Sequence, residues 1–176
     1  MSITQKIRRL ATILDELATI DFGYPLGENT ISPPRPGTIA LLAEAGLSGV
    51  GGLADLYSAC DGISMPDVHT GYFIKPLPGV LNYDPSSEPL AILLEAEIPV
   101  VPLGSTGGGG LFMAERQGGR VLHLPPGPLH SGCYDGRQAN VRVVAEDIYH
   151  FLDLVIDDAE AFVRDDQRHR YLVDRG

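Results

Sequence analysis

Seven residues, Gly104-Ser105-Thr106-Gly107-Gly108-Gly109-Gly110, form a glycine-rich run of the kind that can bring backbone N–H groups close to an oxyanion. The lysine and hydroxyl pair of a nucleotide-binding loop does not follow it. Leu111-Phe112-Met113, next in the chain, reads as a strand, whereas a phosphate loop needs a helix N-terminus at that point. Gly104, Gly107, Gly108, Gly109 and Gly110 are therefore expected to build a structural turn, with glycine supplying positive φ or a bulge.

Other residues have the right types for chemistry but lack the right company. Ser105, Ser131 and Cys133 could serve as nucleophiles and His69, His123 and His130 as bases, yet no nucleophile elbow or cysteine-protease signature surrounds them. His130, Cys133 and Asp135 are metal-ligand types on one short stretch, but no second close pair of Cys or His completes a tetrahedral set. An acid pair of the glycosidase kind cannot be read from sequence without the separation of the carboxylates. The expectation is a protein without a catalytic residue, cofactor or metal, in which the 130–135 stretch is a polar surface loop turning at Asp135-Gly136.

The elements that must position these residues follow from periodicity. Ile3, Ile7, Leu10, Leu14 and Leu17 recur at helical steps with charged residues between them, which predicts an amphipathic N-terminal helix. Asp21 to Gly37 holds three glycines and four prolines, which predicts a loop without regular structure. Thr38–Glu44 and Leu53–Ala59 read as a short helical pair ended by glycines.

Strand signals lie at Tyr72–Ile74, Val100–Leu103, Leu111–Ala114, Arg120–Leu124 and Asn140–Val143, and Asp61–Gly71 reads as a helix-to-strand connection. Gly118-Gly119 would turn Leu111–Glu115 back on Arg120–Leu124 as an antiparallel hairpin. The stripe Ile148, Phe151, Leu152, Val155, Ile156, Ala159, Phe162 and Val163 predicts a long closing helix, with Asp153, Asp157, Asp158 and Glu160 on its other face.

The predicted architecture is one α+β domain with a mainly antiparallel, twisted sheet flanked by helices. An extra helix precedes it and a long amphipathic helix closes it. The 176 residues, 44% apolar and 20% charged, suffice for a core without staples. Two cysteines, Cys60 and Cys133, suggest reduced thiols, and the N-terminal residues lack a signal-peptide core, so a cytoplasmic setting without a membrane span is expected.

Net charge is −10, and Leu10 to Val163 alone carries six basic and twenty acidic residues, a body that repels phosphate backbones and so excludes direct nucleic-acid binding. The residues expected to meet a protein partner are exposed loop acids and a tyrosine: Asp61, Asp67, Asp84, Glu115, Tyr134 and Asp135.

Three stretches in order, Leu56-Tyr57-Ser58-Ala59-Cys60-Asp61-Gly62, Pro102 through Met113, and Gly119-Arg120-Val121-Leu122-His123-Leu124, resemble the SUKH superfamily. That superfamily includes bacterial immunity proteins and the fungal cell-wall-synthesis regulator group. The resemblance spans about Thr38 to Val163, which divides the chain into a helix and linker at 1–37 and a SUKH-like domain at 38–176. It implies partner binding rather than catalysis, foremost an immunity-type protein that neutralises a cognate toxin; the acidic body would suit a basic partner surface, such as that of a toxin that targets nucleic acid. A regulatory or scaffold module binding a host-cell protein is the alternative the resemblance also permits. A small ligand-binding domain or hydrolase using the glycine-rich turn is the alternative from a different class.

Overall fold

A computed structural model describes residues 1–174. Helix α1 (Ile3–Leu17) opens with a capping box: the Ser2 hydroxyl accepts from the Gln5 N–H while the Gln5 side chain accepts from the Ser2 N–H at 2.8 Å. Its predicted stripe is buried, and Leu10 and Leu17 are fully enclosed. That stripe packs chiefly on the closing helix α5 (Ile148–Val163), capped by Asp147 accepting from the His150 N–H at 2.7 Å, and also on the early helix at Leu53–Ala59. Lys6–Asp153 and Arg9–Glu160 ion pairs tie α1 and α5 along their rims. Packing thus runs across the boundary expected at residue 37, and α1 belongs to the same core as the rest.

The segment predicted to lack regular structure contains a two-residue strand, β1 (Thr30–Ile31), antiparallel to β2 (Ile63–Met65). β2 lies within the Asp61–Gly71 connection, where no strand is expected from the sequence. Thr30-Ile31 sits among prolines and glycines yet finds a free strand edge, a pairing that local composition does not register. The pair α2 (Thr38–Glu44) and α3 (Leu53–Ala59) fall on their predicted residues. β2 then pairs with β3 (Tyr72–Ile74), which pairs with the long β5 (Glu97–Thr106).

The predicted hairpin forms from β6 (Leu111–Glu115) and β7 (Val121–Leu124), with Gly118 and Gly119 at φ 88° and 79° in its turn. β10 (Arg142–Ala145) adds to β7. Strand β4 (Ala91–Leu93), preceded by the one-and-a-half-turn helix α4 (Leu77–Leu81), pairs antiparallel with β5 and parallel with β9 (Cys133–Asp135), whose hairpin partner is β8 (Leu129–His130). The stretch expected to be a polar loop is therefore a small edge hairpin.

The described residues hold five helices and ten strands, in an open sheet that is antiparallel apart from the β4–β9 pair. The α+β class with helices at both ends is as expected.

The β5–β6–β7 strands are covered on both faces. Val101, Leu103, Phe112, Ala114 and Val121 face the core shared with the helices, while Val100, Met113, Leu122 and Leu124 face a smaller cluster with Ile92 and Tyr134 under the β4–β9–β8 flap. Two-sided burial explains why Val121-Leu122 reads as a continuous apolar run rather than an alternating one. No helix among the described residues is long and apolar enough to cross a membrane.

Candidate functional site

At the last turns of α5 the chain folds back on itself around one carboxylate. Asp158 is fully buried and, among the described residues, accepts from the Tyr72 hydroxyl at 2.6 Å, from the Leu172 N–H at 2.8 Å and from His169 Nε2 at 2.7 Å. The Tyr72 phenol is held far above its usual range, first by burial and then by the charge of Asp158. Leu172 is buried in the core beside it, and the Val173 carbonyl accepts from Arg142 at 2.5 Å. Tyr171 lies face to face with His69, ring centroids 4.0 Å apart, and His69 Nε2 stands 2.9 Å from Asp174 Oδ2.

His69 itself has φ 54°, a left-handed position in the β2–β3 connection. The sequence placed Asp158 off the apolar stripe. It is, however, i+7 from Phe151 and i+3 from Val155, the spacing that would have put it on the buried side.

Beside this anchor a cavity of about 300 Å³ opens between the end of α5 and the loop after α1. Its walls include Phe22, Tyr24, Phe162 and Tyr171, and Asp165 and Asp166 stand at its rim. Phe22 stacks on Phe162 at 5.7 Å between centroids and meets Tyr24 at 5.8 Å. Nothing in the sequence pattern joined Phe22-Gly23-Tyr24 to residues 162–171, because the contact spans most of the chain.

The six predicted partner residues are not gathered: among the described residues no hydrogen bond or ion pair joins any two of them. Three are not exposed. Asp61 is buried, accepting from Arg35 and from the Leu77 N–H at 2.7 Å, which pins α4 and the proline segment to β2. Glu115 is buried under a two-pronged bond from Arg120 at 2.7 and 2.9 Å. Tyr134 is buried in the flap cluster and donates its hydroxyl to the Pro125 carbonyl at 2.9 Å. The expectation of exposure fails for these three because local donors and apolar neighbours pull them inward.

The others are partly or fully open. Asp67 is half-buried and accepts from Asn29 at 2.5 Å and from the Gly27 N–H at 3.2 Å. Asp84 is exposed and accepts from the Ser86 hydroxyl and N–H at 2.6 and 2.9 Å, bonds that hold its carboxyl below the usual range. Asp135 is gripped by the Arg137 guanidinium at 2.6 and 2.9 Å, whose hydrogen bonds lower its pKa to about 2.

The glycine run is not a free cradle. Gly104 to Thr106 belong to β5, and the turn begins at Gly107. Of its amides, Gly107 donates to Gly71, Gly109 to the Thr106 carbonyl and Gly110 to the Thr106 hydroxyl at 3.1 Å. A side chain at Gly107 would stand 2.1 Å from the Thr70 carbonyl oxygen, so glycine is required there by close approach of backbone. Positive φ is confined in this run to Gly109.

His123 lies buried against Phe112, with Arg142 3.4 Å from its Nδ1; burial, and then that cation, lower its pKa. Ser131 sits at φ 52° in the β8–β9 turn, and His130 opposes Cys133 across that hairpin. Among the described residues no three His, Cys, Asp or Glu side chains gather as metal ligands would.

Comparison with family models, with curated proteins and with solved structures gives no match. The likeness to the SUKH superfamily rests on the three sequence stretches alone.

Proposed function

We propose that this chain is a non-catalytic cytoplasmic binding module that captures a basic protein, with an immunity-type role against a nucleic-acid-targeting toxin as its physiological form. The observation that carries the reading is the way the chain disposes of its own cations. Lys6, Arg9, Arg35, Lys75, Arg120, Arg137 and Arg164 are each held in an ion pair with a carboxylate of the same chain. Exposed acids such as Glu28, Glu44, Glu95, Glu97, Glu146 and Asp157 carry no ion pair among the described residues.

The outward field is therefore negative, which speeds encounter with a basic surface and mimics the phosphates such a surface is built to meet. Asp61, Glu115 and Tyr134 serve in this reading as supports that hold loops in place, Asp135 is already paired with Arg137, and the contact itself falls to acids without an ion pair among the described residues, Asp67 and Asp84 included.

The test is capture from lysate at low and at high salt, followed by co-production of the captured protein with this chain in a heterologous host. The expected result is a basic protein whose association slows about tenfold or more with added salt and whose toxicity this chain relieves. A harmless partner held equally well at both salts would move the reading to a regulatory module. Failure to retain any basic protein would remove it.

A further inference from the structure

The C-terminal end of α5 breaks two local rules at once. Past the cap at Arg164, Asp165 adopts φ 52°, the left-handed position where helices favour glycine, and the Asp166 N–H closes the turn on the Ala161 carbonyl at 2.9 Å. Asp165 and Asp166 also place two carboxylates at the negative end of a sixteen-residue helix, where cations are preferred. Neither is compensated by a cation. Asp165 accepts from the Gln167 amide at 2.6 Å and Asp166 from the Arg168 N–H at 3.0 Å, and neither makes an ion pair among the described residues. Arg164, the nearest guanidinium in sequence, is drawn to Glu160 at 3.3 Å.

Independently of the charges, the cavity beside them is walled by aromatic rings. Phe22 and Phe162 are stacked, Tyr171 is fixed by His69 on one face and meets His169 edge-on at 5.0 Å, and Tyr24 is left 55% exposed. Ring faces carry the negative lobe of their quadrupole, so they attract the same sign of ligand as the carboxylates. Burial, Asp158, Asp165 and Asp166, in that order, hold the Tyr171 phenol above its usual range, which places the three acids within electrostatic reach of the cavity wall. At about 300 Å³ the space suits a single side-chain head group rather than a nucleotide or a sugar chain.

We propose that Phe22, Tyr24, Phe162 and Tyr171, together with Asp165 and Asp166, form a receptor for one guanidinium group, supplied by an arginine of the basic partner. A guanidinium meets both demands of the site, because its plane stacks on rings while its edge donates two parallel bonds to a carboxylate. The source of the arginine rests on the function proposed above, whereas the chemistry of the receptor does not.

The probe is N-acetyl-arginine amide, titrated into the protein while amide and aromatic NMR resonances are followed, with the neutral citrulline analogue as control. The expected result is saturable shifts at Tyr24, Phe162 and residues 165–171 with arginine and none with citrulline. Tyr24→Ala and Asp166→Asn, both at exposed positions, should each weaken binding about three- to fivefold. Asp165→Gly should weaken binding similarly while raising Tm by about 2 °C, because glycine removes both the strain and the charge. Equal binding of citrulline, or no saturable shift at these residues, overturns the receptor.

If the arginine probe binds but no basic protein is ever captured, the proposed function falls and the receptor stands. If a basic protein is captured and Tyr24→Ala and Asp166→Asn leave its affinity unchanged, the partner is not the source of the arginine.

Discussion

Among the described residues Asp158 accepts from the buried Tyr72 hydroxyl and Leu172 amide and from His169, so its loss is felt by all of them together. Asp158→Ala is expected to cost about 3 kcal/mol or more, and Asp158→Asn, which keeps one acceptor oxygen, about half as much. Urea unfolding of the purified variants measures both; an alanine variant within about 0.5 kcal/mol of the parent would show the network to be dispensable. Cys60 makes a second prediction at this scale. Its thiol is fully buried and pushed up to about 11 by burial, with the Gly62 backbone lowering it and Asp61 raising it. The fold thus favours the neutral thiol: that contribution is intact below pH 9.0 and is lost as pH rises towards about 11. At neutral pH a thiol reagent should label the partly exposed Cys133 promptly and Cys60 only as fast as the protein opens.

Among the elements, α1 shows where sequence reading stopped short. Its helical stripe was legible because five apolar residues recur at three- and four-residue steps. Its destination was not, because α5 lies more than a hundred residues away and periodicity carries no address. A chain beginning at Thr38 would expose the α5 face that Leu10 and Leu17 cover. It is expected to lose its cooperative thermal transition and bind a hydrophobic dye, as differential scanning fluorimetry would record. An unchanged transition would mean that 1–37 is an appendage after all.

The same distinction explains the other elements. The β6–β7 hairpin was legible from Gly118-Gly119 flanked by apolar runs. β1, β4 and the parallel β4–β9 pair were not, since two- and three-residue strands are defined by the edges they meet. For the site, acidic charge could be read but burial could not. Asp61 and Glu115 look like any loop acid until Arg35 and Arg120 are seen to cover them.

The whole molecule carries its charge as a liability as well as a lure. With a net charge of −10 and seven cations already committed to pairs, the remaining acids repel one another. Moderate salt is therefore expected to raise Tm of the free protein by screening that repulsion and to weaken its capture of a basic partner, opposite signs from one cause. Calorimetry of the free chain across a salt series tests the first sign; a Tm that falls with salt would mean that the internal pairs outweigh the repulsion. The docking of α1 on α5 has a consequence for synthesis. Residues 3–17 emerge from the ribosome roughly ten to thirty seconds before residues 148–163, at ordinary elongation rates. Throughout that interval only α3 and β1 are present to cover part of the first helix's apolar stripe, and the face that α5 will take stays open until the last helix is translated.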